Sequence, residues 1–170
     1  VAFGTKSEGI LILDDFKSKV PTQIPVAGET KNVAMCPGKP DILAYSKASS
    51  IEVIHVPTGS TVASFAAKRV AQLEFTSDCK NLLAVSGQYP AAYDDAVANL
   101  AIYDLTRKFK TRELELSKAV GVSLMPTQED VLVTYRDGII REIGIADWSV
   151  KRELKHPLAK DKPTECRIDD

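Results

Sequence analysis

The chain has 170 residues, 44% of them apolar and 26% charged, and its formal net charge is −1. That composition suits an ordinary globular fold long enough to bury a core. It excludes a global electrostatic pull toward nucleic acid or anionic membrane, and no apolar run approaches the roughly 20 residues that a membrane helix needs.

Taken in order, the N-terminus Val1-Ala2-Phe3-Gly4-Thr5 reads as a strand rather than a leader, and the absent initiator Met suggests a processed chain or an excerpt. Leu11 to Asp14 reads as the next strand. A full phrase follows: Asn32 to Pro37, Ile42 to Ser46, Val53 to Val56 and Thr61 to Phe65. A second runs Ala71 to Thr76, Leu82 to Ser86, Ala101 to Asp104 and Arg112 to Leu116. The third runs Gly121 to Pro126, Val131 to Tyr135, Gly144 to Asp147 and Lys151 to Lys155. Turn chemistry separates them: Pro37-Gly38-Lys39-Pro40, Pro57-Thr58-Gly59-Ser60, Thr76-Ser77-Asp78 and Arg136-Asp137-Gly138. Ile42 and Leu82 lie 40 residues apart and Leu82 and Val131 lie 49 apart, the excess falling in the Gln88–Asn99 loop.

Four strands repeating every 40–45 residues predict the blades of a β-propeller. The second strands are near-continuous apolar runs, as strands buried on both faces require. The fourth strands are more polar, which suits an exposed edge. The expected fold is therefore all-β, a WD40-like segment of about three and a half four-stranded blades. It comprises a partial blade at 1–30, blades at about 31–66, 70–116 and 120–155, and a tail at 156–170. Ile42, Leu43, Leu82, Leu83, Val131 and Leu132 are expected to be largely buried. A β-sandwich shares the short strands but not the 40-residue phrase. Such a segment cannot close a ring, so further blades from the rest of the chain or from a partner are expected. Pro163 to Ile168 is a candidate first strand of one.

Candidate chemistry is sparse. Cys36, Cys79 and Cys166 are odd in number and lack a C-x-x-C pair, so reduced cytoplasmic thiols are expected, without a metal. His55 sits at an aromatic position of a third strand and reads as a core or turn histidine; His156 reads as solvated. Asp14, Asp104 and Asp147 align at third-strand ends and read as turn acceptors. Ser86-Gly87 lacks the first glycine of a nucleophile elbow. Asp94-Asp95 are adjacent carboxylates on a loop. No phosphate-cradling glycine motif is present. No enzymatic activity and no cofactor are expected.

Two basic clusters stand out: Arg107, Lys108, Lys110 and Arg112, and then Lys151, Arg152 and Lys155 with Lys160 and Lys162. They occupy corresponding places in successive phrases. They are either one interaction rim, for RNA phosphate or an acidic protein surface, or solubilising charge interspersed with Glu113, Glu115, Glu153 and Asp161.

The order of Ser7-Glu8-Gly9-Ile10-Leu11, Ala44-Tyr45-Ser46-Lys47, Ile51 to Ile54, Val70 to Thr76, Leu82 to Val85 and Leu100 to Asp104, with the lengthened Gln88–Asn99 loop, resembles the N-terminal propeller blades of eukaryotic translation initiation factor two-A. The loop is also similar to one in initiation factor three subunit b. The resemblance covers about residues 5–116. It implies a cytoplasmic, non-enzymatic factor whose partners are other protein subunits and the ribosome or RNA, not DNA and not a membrane. Gly4-Thr5-Lys6, Gly9 to Ile12 and Leu82 to Gly87 also look like the phosphoinositide-binding propellers of autophagy. Their paired-arginine signature has no counterpart here, since the chain contains no Arg-Arg dipeptide. A scaffold subunit of another large complex is the remaining alternative.

Overall fold

Short β-branched and aromatic runs bounded by turn residues become strands throughout. The computed structural model describes residues 2–4, 9–12, 22–26, 29–87, 97–125, 127 and 129–155, and among these there is no helix. The first sheet has three strands, β1 (Ala2–Gly4), β2 (Ile10–Ile12) and β3 (Thr22–Ile24). The second is β4 (Val33–Cys36), β5 (Lys39–Ser46), β6 (Ser50–His55) and β7 (Ser60–Ala66). The third is β8 (Val70–Phe75), β9 (Asn81–Gly87), β10 (Val97–Asp104) and β11 (Phe109–Ser117). The fourth is β12 (Ala119–Leu124), β13 (Asp130–Tyr135), β14 (Ile139–Gly144) and β15 (Val150–Lys155). Each four-stranded sheet runs in chain order from edge to edge. Each also carries a bulge between its first two strands, at Met35/Cys36, Val70/Gln72 and Ala119/Gly121.

The chain divides into two compact units, 1–87 with 99–115 and 88–98 with 116–170. In the first unit the sheets pack face to face, and the two-residue period of β5 divides its side chains between two cores. Leu43 and Tyr45 join Ile10, Ile24 and Ile54 on the side of the first sheet. Ala44 lies with Ile51, Val53, Phe65, Phe75 and Leu82 on the side of the third. The Phe65 and Tyr103 rings meet there with centroids 4.6 Å apart. Each fully buried aliphatic or aromatic side chain contributes about 1.5–3 kcal/mol. Burial also raises the pKa of both tyrosines; the Glu52 charge adds to the effect at Tyr45.

Polar ties fix the sheet junctions. Asn32 Nδ2 donates to Val70 O at 2.7 Å, and Asn32 N donates to Ser46 Oγ at 3.1 Å. Thr30 Oγ1 donates to Gly9 O at 3.3 Å. Gly9 has φ +84°, and an added Cβ would stand 2.2 Å from Ile24 O, so no side chain fits there.

In the second unit β13 pairs with both β12 and β14. Val131 and Val133 are fully buried, whereas Leu132 and Thr134 are half-buried. Every residue of β15 is exposed, Val150 and Leu154 each to 53%. Arg141 lies over the Tyr135 ring at 4.9 Å and pairs with Glu153 at 2.9 Å.

Several expectations need correction. Gly144 to Asp147 is not a third strand: that strand is Ile139–Gly144, because Asp137-Gly138 turns the chain tightly and Gly138 N bonds back to Tyr135 O at 3.0 Å. β3 adds an unexpected strand. β10 begins at Val97, inside the segment read as loop. Ile42 and Leu132, by contrast, are largely buried as expected, though less completely than Leu43, Leu82, Leu83 and Val131. Cys36 and Cys79 are not free thiols. The Met35/Cys36 bulge and the β8–β9 turn bring their Cα atoms to 5.8 Å, and a disulfide joins the second and third sheets.

Candidate functional site

The turn between third and fourth strands recurs with one geometry in all three four-stranded sheets. Gly59 N donates to His55 O at 2.8 Å, Lys108 N to Asp104 O at 2.8 Å and Trp148 N to Gly144 O at 2.9 Å. Each donor residue is left-handed, with φ 66°, 60° and 60°. This hydrogen-bond frame, rather than the apolar pattern, sets the correspondence of the repeats: His55, Asp104 and Gly144 are equivalent, and Asp147 sits three residues beyond.

Different side chains brace the three turns. Asp104 Oδ1 accepts from Thr106 N and Arg107 N, both at 2.8 Å. Asp147 Oδ1 accepts from Ser149 N at 3.0 Å and Ser149 Oγ at 2.7 Å, and these bonds hold its carboxyl below the usual carboxylate range. Both residues are therefore turn acceptors, as expected; Asp14 lies outside the described residues. At the His55 turn, Nε2 stands 3.2 Å from Asp41 Oδ2, and Nδ1 shares a 2.9 Å bond with Thr58 Oγ1, which in turn meets Ser60 Oγ at 2.8 Å. An ionised Asp41 only accepts, so Nε2 carries the proton, and in the neutral ring Nδ1 accepts from the Thr58 hydroxyl. The relay ties strand β5 to the turn and makes His55 the turn histidine anticipated.

A groove of about 340 Å³ opens between the second and third sheets of the first unit. One wall is aliphatic, made by Ile42, Val53 and Val62 from β5, β6 and β7. The facing wall is Cys79 with Leu105 and Thr106. Lys39, Asp78 and Lys80 stand around the opening. The β8–β9 turn that presents three of these residues is tightly bonded. Thr76 Oγ1 donates to Asp78 Oδ1 at 2.7 Å, Lys80 N donates to the same oxygen at 3.0 Å, and Asn81 N donates to Thr76 Oγ1 at 3.1 Å. The Lys80 N–H first and the Thr76 hydroxyl second lower the Asp78 pKa. Leu105 N donates to Lys80 O at 2.9 Å and seats the β10–β11 turn beside it. The disulfide and the close approach of Gly38 to Ser77 O set the distance between the walls.

The basic clusters fall in separate units. In the first, Arg107 pairs with Asp104 at 3.9 Å and Lys110 with Glu113, a hydrogen bond that raises the lysine pKa. Lys108 and Arg112 are exposed. In the second, Arg152 pairs with Glu142 at 3.6 Å, and Lys151 pairs at 2.5 Å with Asp130, which is 6% exposed. The Asp130 hydrogen bond raises the Lys151 pKa. Among the described residues Asp130 Oδ1 has no partner besides the Lys151 ammonium, which offsets the charge of a largely buried carboxylate. Lys155 is exposed on β15. Four of the seven predicted interaction residues thus hold carboxylates of their own sheet, and Lys108, Arg112 and Lys155 have no carboxylate partner among the described residues.

His156, Asp94, Asp95, Cys166, Lys160, Lys162 and the 163–168 strand candidate lie outside the described residues. Among the described residues no group of three His, Cys, Asp or Glu side chains is placed to hold a metal ion, and no helix is long and apolar enough to cross a membrane. Sequence reasoning missed the groove and the Asp41 partner of His55. The second was readable from strand pairing, which sets Ile42 opposite His55. A scan against protein-family models finds no match, and a search of curated proteins finds none either.

Proposed function

We propose that this chain is a segment of a WD40-like β-propeller and acts as a non-catalytic scaffold in a protein or ribonucleoprotein assembly. The observation that carries this reading is the repetition of a four-stranded antiparallel sheet, in the same strand order and with the same left-handed turn, at 55–59, 104–108 and 144–148. Repetition of that kind builds a stiff frame while leaving turns and outer strands free to vary, which is the division of labour of a docking platform. A ring of four to eight blades draws its other blades from elsewhere in the polypeptide or from a partner.

The specific setting proposed, by the resemblance already described, is cytoplasmic translation initiation. The exposed cations Lys108 and Arg112, flanked by Arg107 and Lys110, are the surface that reading would use. Exchange of all four for Glu is expected to keep the sheets, since these side chains lie outside the cores, and to weaken co-sedimentation with ribosomal subunits. The wild-type interaction should fall steeply with salt, because each phosphate contact releases a counterion. Equal sedimentation of variant and wild type removes the ribosomal setting. If cross-linking of the tagged full chain in cells also captures no stable partner, the scaffold reading falls with it. The Cys36–Cys79 bridge is chemistry of an oxidising compartment. Thiol titration of the chain as isolated from cells therefore tests the cytoplasmic assignment separately.

A further inference from the structure

We infer that the groove between the second and third sheets is a docking site for a short acidic peptide segment of a partner protein, anchored by an aliphatic side chain. The inference rests on the scaffold reading and names the chemistry of what the scaffold holds.

Three observations converge. The inner wall offers the partly buried aliphatic side chains of Ile42 and Val62, backed by the fully buried Val53, and a volume of about 340 Å³ has room for an anchoring side chain but not for a folded domain. The rim is positive in effect. Asp78, its one carboxylate, is held by the Thr76 hydroxyl and the Lys80 N–H and pairs at 3.6 Å with the Lys80 ammonium, so Lys39, Lys80 and Asp78 leave the rim one net positive charge. Lys39 is exposed and has no carboxylate partner among the described residues. Beyond Thr106 the same turn continues into Arg107 and the exposed Lys108. The third observation is rigidity. The bonds within the β8–β9 turn and the Leu105 N to Lys80 O bond hold the facing wall before any ligand arrives, with or without the bridge, so little ordering cost is left to binding. Electropositive rims alone suit RNA equally well, but phosphate has no use for an aliphatic wall, and the wall decides for a peptide.

The test is panning of phage-displayed random twelve-residue peptides against the full chain, then fluorescence anisotropy of the enriched peptides. Enriched sequences should combine Asp or Glu with Leu, Ile or Val. Their affinity should drop by roughly tenfold in the Lys39→Glu, Lys80→Glu double variant, as two rim attractions become repulsions. It should be lost in Val62→Asp, with circular dichroism checking that each variant keeps its sheets. The surface double variant carries the test alone if Val62→Asp does not fold. Enriched peptides without acidic residues, or affinities unchanged in the double variant, overturn the groove proposal. So does protection of Lys39 and Lys80 from amine labelling by poly(U) RNA but not by acidic peptides. In each of those cases the scaffold reading stands if cross-linking still finds a partner. If cross-linking finds none while the peptides bind as expected, the groove stands and the scaffold reading falls.

Discussion

The second and fourth sheets have the same strand order and the same third-to-fourth-strand turn, yet they spend their alternating side chains differently. In β5 the consecutive residues Leu43, Ala44, Tyr45 and Ser46 are all buried, because a sheet packs on each side. In β13 burial alternates, with Val131 and Val133 fully enclosed and Leu132 and Thr134 only half so. The outer strands repeat the contrast: β7 buries Ala63 and Phe65, while β15 is exposed from end to end. Hydrogen-bond topology thus sets where a strand lies, and the neighbouring sheet sets what its side chains contribute.

The contrast has a measurable size. Leu43→Ala removes a side chain with 0% exposure and should cost about 2–5 kcal/mol in urea unfolding. Leu132→Ala, at the half-buried position, should cost only about 1 kcal/mol. Equal losses would mean that the fourth sheet is as enclosed as the second.

Reduction of the Cys36–Cys79 bridge comes next. It closes a separation of 43 residues, and freeing it should cost the first unit about 2–4 kcal/mol, chiefly by loosening the unfolded chain. Amide exchange with and without reductant should quicken in β4 and β8 and stay unchanged in β12 to β15. Uniform quickening would show that the two units unfold together.

The smallest effect separates the turns. Asp78 and Asp147 both have folded pKa values below the ordinary 3.8, each held there first by a backbone N–H, of Lys80 and Ser149 respectively. A depressed carboxylate contributes stability that is complete above its unfolded pKa and is lost as pH falls through the folded one. The loss therefore lies below about pH 3.8, and both carboxyl resonances should titrate beneath that value. A midpoint at or above it for either residue would mean that its turn opens before the sheets do.

The alternating apolar runs made the strands legible because strand period and burial follow local sequence. What failed was whatever depends on which residue opposes which. Ile139-Ile140-Arg141-Glu142 mixes apolar and charged side chains. Arg141 is accommodated by the Tyr135 ring and Glu153, partners on neighbouring strands, so the pattern hid the third strand. The aligned aspartates misled for a related reason. Asp104 ends its strand, but Asp147 caps the turn from within, and the shared i to i+4 backbone bond leaves no trace in side-chain identity. The cysteines looked unrelated because they lie in different repeats, and their meeting is a property of stacking. The groove was hidden likewise, since Val62 and Leu105 become neighbours only once two sheets face each other.

The bridge between the second and third sheets also has a mechanical consequence. A pull applied to the two chain ends meets a covalent shortcut at Cys36 and Cys79, so the residues between them carry no tension while the bond is intact. The 43-residue separation corresponds to roughly 150 Å of fully extended chain. That length stays out of the stretched contour until a reductant releases it, and β5, β6, β7 and β8 remain shielded from force that the fourth sheet feels directly.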